Sequence, residues 1–297
     1  MRVSISITDY TWPEGPVVIP QRLREVATAA DAVGVDTVWV ADHLVQADPT
    51  VPDDTEMLEA FTTLGHLAGA TDRVRLGTLV AAATFRPPAL LVKAVTTLDV
   101  LSEGRAWLGV GAGYQEDEAT AMGLPMPPVA ERFEHLEDLL RLARQMWSGD
   151  PAPFHGARHQ LAAPSCDPAP VTKPHPPILV GGTGEKRTLR LVAEHADACN
   201  LFDLPDDGAT VRHKLDVLAR HCESVGRPRD EIQTTLSTRL APAETTADLV
   251  ARCERVAGWG VEHLIFVSST PWAPADLDVL VSAAADVTGL RTERRTP

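Results

Sequence analysis

Three short stretches hold the residues best suited to chemistry. Asp42-His43 sets a carboxylate beside an imidazole, and an imidazole changes charge near neutral pH, so the pair suits proton exchange. Gly109-Val110-Gly111-Ala112-Gly113 lets backbone approach a flat ligand, because no Cβ intervenes at the glycines. Gly181-Gly182-Thr183-Gly184, followed by Lys186 and Arg187, has the composition of an anion cradle: free N–H groups and a positive helix end favour a phosphate. Each stretch also has a structural reading. The first could orient a loop, the second make a tight strand-to-loop turn, and the third supply ordinary turn chemistry. Together they describe a planar ligand with a phosphate tail beside an acid–base group. His195 and His221 fall inside helical periods and read as structural or exposed.

Such groups need elements to position them. The hydrophobic period switches repeatedly between two and 3.6. It predicts strands over 3–7, 37–40, 74–80, 106–110, 178–180, 198–202, 232–238 and 263–267. Helices are expected over 20–33, 55–70, 88–101, 131–147, 185–195, 211–225, 246–257 and 275–288. Strand–helix alternation implies parallel strands with right-handed crossovers, and eight repeats match an α/β fold of the (β/α)8 barrel type. An open doubly wound sheet is the alternative. It would want a glycine-rich turn after the first strand, where Thr8-Asp9-Tyr10-Thr11-Trp12 stands. A barrel concentrates function where strands end and loops begin, and all three stretches fall there. Proline-rich, irregular residues 114–130 and 148–177 read as insertions after the fourth strand and its following helix, of the kind that cover a site. One domain over 1–297 is expected, with a frayed polar tail at 291–297.

Composition narrows the function classes. Hydrophobic residues are 44% and charged residues 23%, ordinary globular values, and the net charge is −14. That surface repels nucleic acid and anionic membrane, so neither is expected as a partner. No apolar run approaches the ~18 residues of a membrane span, and the first residues lack a signal-peptide core. Cys166, Cys199, Cys222 and Cys253 form no CxxC pair, which argues against a zinc site or a disulfide framework and fits a reducing cytoplasm. Carboxylates and histidines converge too sparsely for a metal-dependent isomerase, so no metal is expected. There is no GxSxG of a serine hydrolase.

At these junctions the chain resembles the bacterial luciferase-like superfamily, and within it the actinobacterial-type coenzyme F420-dependent oxidoreductases. The matching stretches are AADAVGVDTVWVADH, VRLGTLVAAATFRPPALLVKAVTTLDVLSEGRAWLGVGAGYQEDE, GLPMPPVAERFEHLEDLLRLARQMWSGD and KPHPPILVGGTGEKRTLRLVAEHADACNLF. The resemblance implies a TIM barrel with a deazaflavin or flavin ring at its C-terminal mouth. It implies a non-proline cis peptide around Leu79–Val80 that backs the ring. It places Asp42 and His43, the expected catalytic residues, at the reactive edge, and Thr78, Leu79, Val80 and Ala82 behind the ring. It sets Gly111, Ala112 and Gly113 beside the ring or ribityl chain, and Gly181, Gly182, Thr183 and Gly184 at the phosphate. Lys186, Arg187 and Arg190 are candidates to meet an anionic cofactor tail. Sugar-phosphate dehydrogenases of this superfamily carry a catalytic Glu just after the fourth-strand glycines. This chain has Tyr114 there and Glu116 two residues later, which argues against a sugar-phosphate substrate.

The expected activity is therefore F420-dependent hydride transfer to or from a small organic substrate, with His43 exchanging the proton. An FMN-dependent monooxygenase on the same fold is a second expectation, and a non-catalytic flavin- or F420-binding protein a third. Trp12, Leu44, Phe85 and Tyr114 suggest a partly apolar mouth, and relatives suggest a homodimer.

Overall fold

A computed structural model describes residues 1–241, 244–280 and 282–283. Its centre is a closed ring of eight parallel strands. They are β1 (Arg2–Ile7), β2 (Thr37–Val40), β3 (Arg75–Thr78), β4 (Ala106–Gly111), β5 (Ile178–Gly181), β6 (Ala198–Phe202), β7 (Gln233–Arg239) and β8 (His263–Val267). Each strand pairs with its sequence neighbours, and β1–β8 pairing closes the ring. A two-residue strand, Ala81–Ala82, extends the third stave and also pairs with β4. The α/β barrel is thus the architecture, and the open sheet is ruled out by closure.

Around it lie α1 (Ile19–Val33), α2 (Ala60–Ala68), α3 (Pro88–Leu101), α4 (Glu116–Met122), α5 (Val129–Ser148), α6 (Thr188–His195), α7 (Ala209–Val225) and α8 (Thr246–Gly258). Residues 274–280 are also helical. The remainder of the helix expected over 275–288, and the tail at 291–297, lie largely outside the described residues.

Strand alternation explains the core. In β4, Ala106, Leu108 and Val110 face the helices and join the main hydrophobic core. The alternate positions, Trp107, Gly109 and Gly111, face the barrel axis. Trp39 and Trp107 meet inside with ring centroids 5.6 Å apart. Gly77 lies between them in register, and a Cβ there would come within 2.7 Å of the Trp39 ring. Lower down, Ser4 Oγ accepts the Thr37 amide and lies 2.6 Å from His263 Nε2. Large indoles therefore fill the axis below, while glycines keep the mouth open above them.

Several element boundaries differ from the expected ones; the third strand, expected over 74–80, ends at Thr78. Helix α2 begins at Ala60 instead of 55. The Tyr10 amide donates to the Glu56 carbonyl and the Glu56 amide to Thr11 Oγ1, which holds 55–59 against the β1 loop. Glu59 then caps the helix by accepting the Thr62 amide. Helix α6 begins at Thr188 instead of 185, after a turn over 185–187. Residues 114–130, expected to be irregular, contain α4. Between α5 and β5 a small antiparallel hairpin pairs Phe154–His155 with Gln160–Leu161. Buried Asp138 of α5 clasps it by accepting the amides of Ala157, Arg158 and His159. Among the described residues, no helix is long and apolar enough to cross a membrane.

Candidate active site

A cavity of about 1190 Å³ opens at the C-terminal ends of the strands. Every stave or the segment that follows it contributes to the wall, from Ser6 of β1 through Asp42 after β2, Leu79 after β3 and Gly111 of β4 to Val267 of β8. Asp42, His43, Leu79, Val80, Ala82, Gly111, Ala112, Gly113, Gly181 and Gly182 line it. Thr78, Thr183 and Gly184 are not lining residues. Thr78 is fully buried and its hydroxyl donates to the Gly109 carbonyl at 2.7 Å.

One wall is a bulge at the end of β3. The Leu79–Val80 peptide is cis. The Thr78 carbonyl presses so closely on β4 that a Cβ at Gly109 would sit 1.8 Å from it, so only glycine fits. Val80 projects between Gly111 and Gly181. A Cβ on Gly111 would meet Val80 Cγ2 at 3.0 Å, and one on Gly181 would meet Cγ1 at 2.9 Å. The glycines thus keep an apolar ledge clear on both sides, the shape a flat ring requires.

His43 stands at the end of β2, held by a residue sequence reading missed. Its Nδ1 lies 2.6 Å from Glu118 Oε2, and the Leu44 amide donates to Oε1 at 2.5 Å. The Glu118 side chain is only 1% exposed. Burial pushes its carboxyl up, but the hydrogen bonds from His43 and Leu44 outweigh that and hold it below the usual carboxylate range. A carboxylate only accepts, so Nδ1 carries the proton toward Glu118 and Nε2 is the ring's other working atom. The Tyr114 hydroxyl lies 3.3 Å from that Nε2. Because α4 falls in a stretch that reads as loop, no period pointed to Glu118.

Asp42 is engaged differently. Arg86 grips both its oxygens, at 2.7 and 2.8 Å, and also reaches Glu59 at 2.7 Å. Burial pushes the Asp42 carboxyl up, against the pull of Arg86. The arginine itself stacks on Phe61, 5.0 Å from the ring centroid. Asp42 therefore helps fix the β2 and β3 loop ends relative to each other.

The glycine turn after β5 meets a second missed residue. Gly182 has φ of +116°, and the Thr188 side chain lies beside it on the cavity wall. Facing the cavity from α5 is Arg132, 5% exposed. It donates to the Gly113 carbonyl at 3.3 Å and lies 3.5 Å from Glu116, while its buried Nε has no partner. A buried guanidinium with an unmet N–H suits an anionic group. Its signal was legible: Arg132 stands four residues before Leu136, on the stripe that otherwise buries apolar side chains. Of the three cations expected near a tail, Arg190 pairs with Glu194 and Glu137. Arg187 lies over Phe133, a wall residue, at 5.5 Å, and Lys186 is exposed.

A closed parallel barrel, an apolar ledge at its mouth, a buried arginine with one unpartnered N–H and a braced histidine define a barrel enzyme-type site for a flat, anionic-tailed ligand. The sequence matches the model of the luciferase-like monooxygenase family over residues 1–286, and the chain belongs to that family. It is 35% identical over 233 residues to the F420-dependent glucose-6-phosphate dehydrogenase of Kineococcus radiotolerans, covering 77% of this chain and 66% of that protein. It is 29% identical over 223 residues to the protein of the same name from Microbacterium testaceum, covering 75% of this chain and 64% of that one. The matched region thus spans just under two thirds of these relatives. The fold superposes on an F420-dependent secondary alcohol dehydrogenase, solved with an F420–acetone adduct, with a TM-score of 0.80 at 18% identity. That match covers 96% of this chain and 98% of the other.

Proposed function

We propose that the protein is a coenzyme F420-dependent oxidoreductase acting on a small organic substrate. The reading is carried by one arrangement: His43, braced by Glu118, shares a cavity with the Val80 ledge between Gly111 and Gly181. The names of its F420-dependent relatives support the choice of cofactor. When bound, F420 supplies a two-electron hydride acceptor or donor at its deazaflavin ring. The chain's own residues do the rest. Val80, Gly111 and Gly181 form the seat for a planar ring. Arg132, Gly182 and Thr188 take the phosphate. His43 exchanges the substrate proton through Nε2, with Glu118 fixing the imidazole and Asp42 fixing the loop beneath it. The family resemblance supports a homodimer and a single domain over 1–297. Four free, buried cysteines fit a cytoplasmic setting.

The test is a pair of titrations of the purified protein. F420 should bind at least ~10-fold more tightly than FMN, a gap of ~1.4 kcal/mol. Arg132→Met should weaken F420 by a similar factor. His43→Ala should leave F420 binding intact and lower turnover by roughly 10²–10⁴. Equal or tighter FMN binding, with oxygen uptake, would favour the monooxygenase reading instead.

A further inference from the structure

Tyr114 follows the last glycine of the β4 turn and lines the cavity mouth, with 67% of its surface exposed. Its hydroxyl lies 3.3 Å from His43 Nε2, and the two rings meet edge to face with centroids 5.6 Å apart. In the neutral imidazole, whose Nδ1–H donates to Glu118, Nε2 presents a lone pair and the Tyr114 O–H is the donor toward it. Two polar atoms at that separation leave positions from which one oxygen reaches both at about 2.8 Å, an ordinary O–H···N or O–H···O distance. A hydroxyl there donates to Nε2 and accepts from Tyr114. A carbonyl oxygen there accepts from Tyr114 and, once the imidazole is protonated, from Nε2–H as well.

We propose that Tyr114 Oη and His43 Nε2 form one subsite for the reacting oxygen of an uncharged alcohol or carbonyl substrate. This rests on the oxidoreductase reading above. Tyr114 is then a catalytic residue for that oxygen, and Glu118 a positioning residue that acts through His43.

The surrounding charge supports the uncharged class. Burial, together with the negative charges of Glu118 and Asp48, pushes the Tyr114 phenol up, so it serves as a neutral donor. The same carboxylates disfavour an anion beside it. The cavity-lining arginines offer little compensation at this end. Arg132, which already reaches the Gly113 carbonyl and Glu116, is given to the cofactor phosphate in the reading above, Arg239 is paired with Asp48, and Arg252 with Glu244. Arg255 belongs to α8, which follows β7, half the barrel round from β3. Leu79, Phe85 and Val129 supply apolar wall for the body of a small substrate.

The experiment uses cyclohexanol as the neutral probe and glucose 6-phosphate as the anionic one. On protein without cofactor, ¹⁵N-histidine NMR reads the His43 Nε2 resonance. Cyclohexanol should shift it saturably, and Tyr114→Phe should weaken that binding about 5- to 10-fold while F420 affinity stays within twofold. With F420, the same variant should lower kcat/KM for cyclohexanol about 10-fold or more. An unmoved resonance in the unmodified protein, or equal affinity and kcat/KM in Tyr114→Phe, overturns the subsite. Tighter binding of glucose 6-phosphate at Nε2 overturns the uncharged class. Failure of F420 to bind the unmodified protein overturns the cofactor reading alone, because the NMR titration does not use it.

Discussion

Glu118 and His43 are separated by 75 residues, yet their side chains meet at 2.6 Å behind the wall of the cavity. The carboxylate also accepts the Leu44 amide, so one side chain fixes both the imidazole and the backbone that follows it. This makes the orientation of His43 a property of two staves, β2 and β4, and not of the β2 end alone.

Glu118→Gln should therefore act on turnover and not on cofactor binding. The amide keeps the shape but loses a charge-assisted hydrogen bond, a difference of about 1.5–3 kcal/mol. Turnover should fall roughly 10- to 100-fold with KM nearly constant. The ¹⁵N spectrum supplies an independent check: Nδ1–H should dominate at His43 in the unmodified protein, and mixed tautomers should appear in the variant. A single unchanged tautomer with full activity would show that Glu118 merely fills space.

Gly181→Ala should close the ledge. Its new methyl would lie 2.9 Å from Val80 Cγ1, so F420 affinity should drop about 10-fold or more, by ~1.4 kcal/mol. Removing the obstruction with Val80→Ala in the same chain should restore part of that affinity. Fluorescence titration of the single and double variants reads the effect, and no recovery in the double variant would place the loss elsewhere.

Asp42→Asn should cost stability. It leaves Arg86 facing a neutral partner in a largely buried site, and breaking such a pair typically costs about 3 kcal/mol. Urea denaturation should show the drop. Pairing it with Arg86→Met should recover some of the loss, because the unmatched charge goes too. If Asp42→Asn abolishes turnover with unchanged stability, Asp42 takes part in the chemistry directly.

Stability should decline on mild acidification. Burial holds His263 and His195 down to about 4 from an ordinary 6.5. As pH falls below 6.5 the unfolded chain takes up these protons first, so the native state loses ground until the pH passes the folded value. The contribution is complete above 6.5 and absent below about 4. At about pH 5, fully buried His263 alone should account for a loss of about 2 kcal/mol. Melting temperatures from pH 7 to 5 test this, and His263→Gln should flatten the slope.

Hydrophobic period, residue type and position in the repeat were enough to define the barrel and to locate the mouth residues. The switching period already marks TVWV and AWLGV as strands, and strand-end placement already selects His43, Gly111 and Gly181. These follow because local pattern dictates which face of a strand is buried. The partners of those residues were decided only by the tertiary structure. Glu118 reaches His43, and Arg86 reaches Asp42, because neighbouring staves bring loops from different repeats together at one end of the barrel. Thr183 and Gly184 lie off the cavity wall, where a turn at 185–187 precedes α6, and Arg132 of α5 reaches that wall beside Gly113 of the β4 loop. Periodicity describes a segment's own faces, whereas a contact between repeats depends on loop path and helix start, which no local pattern encodes.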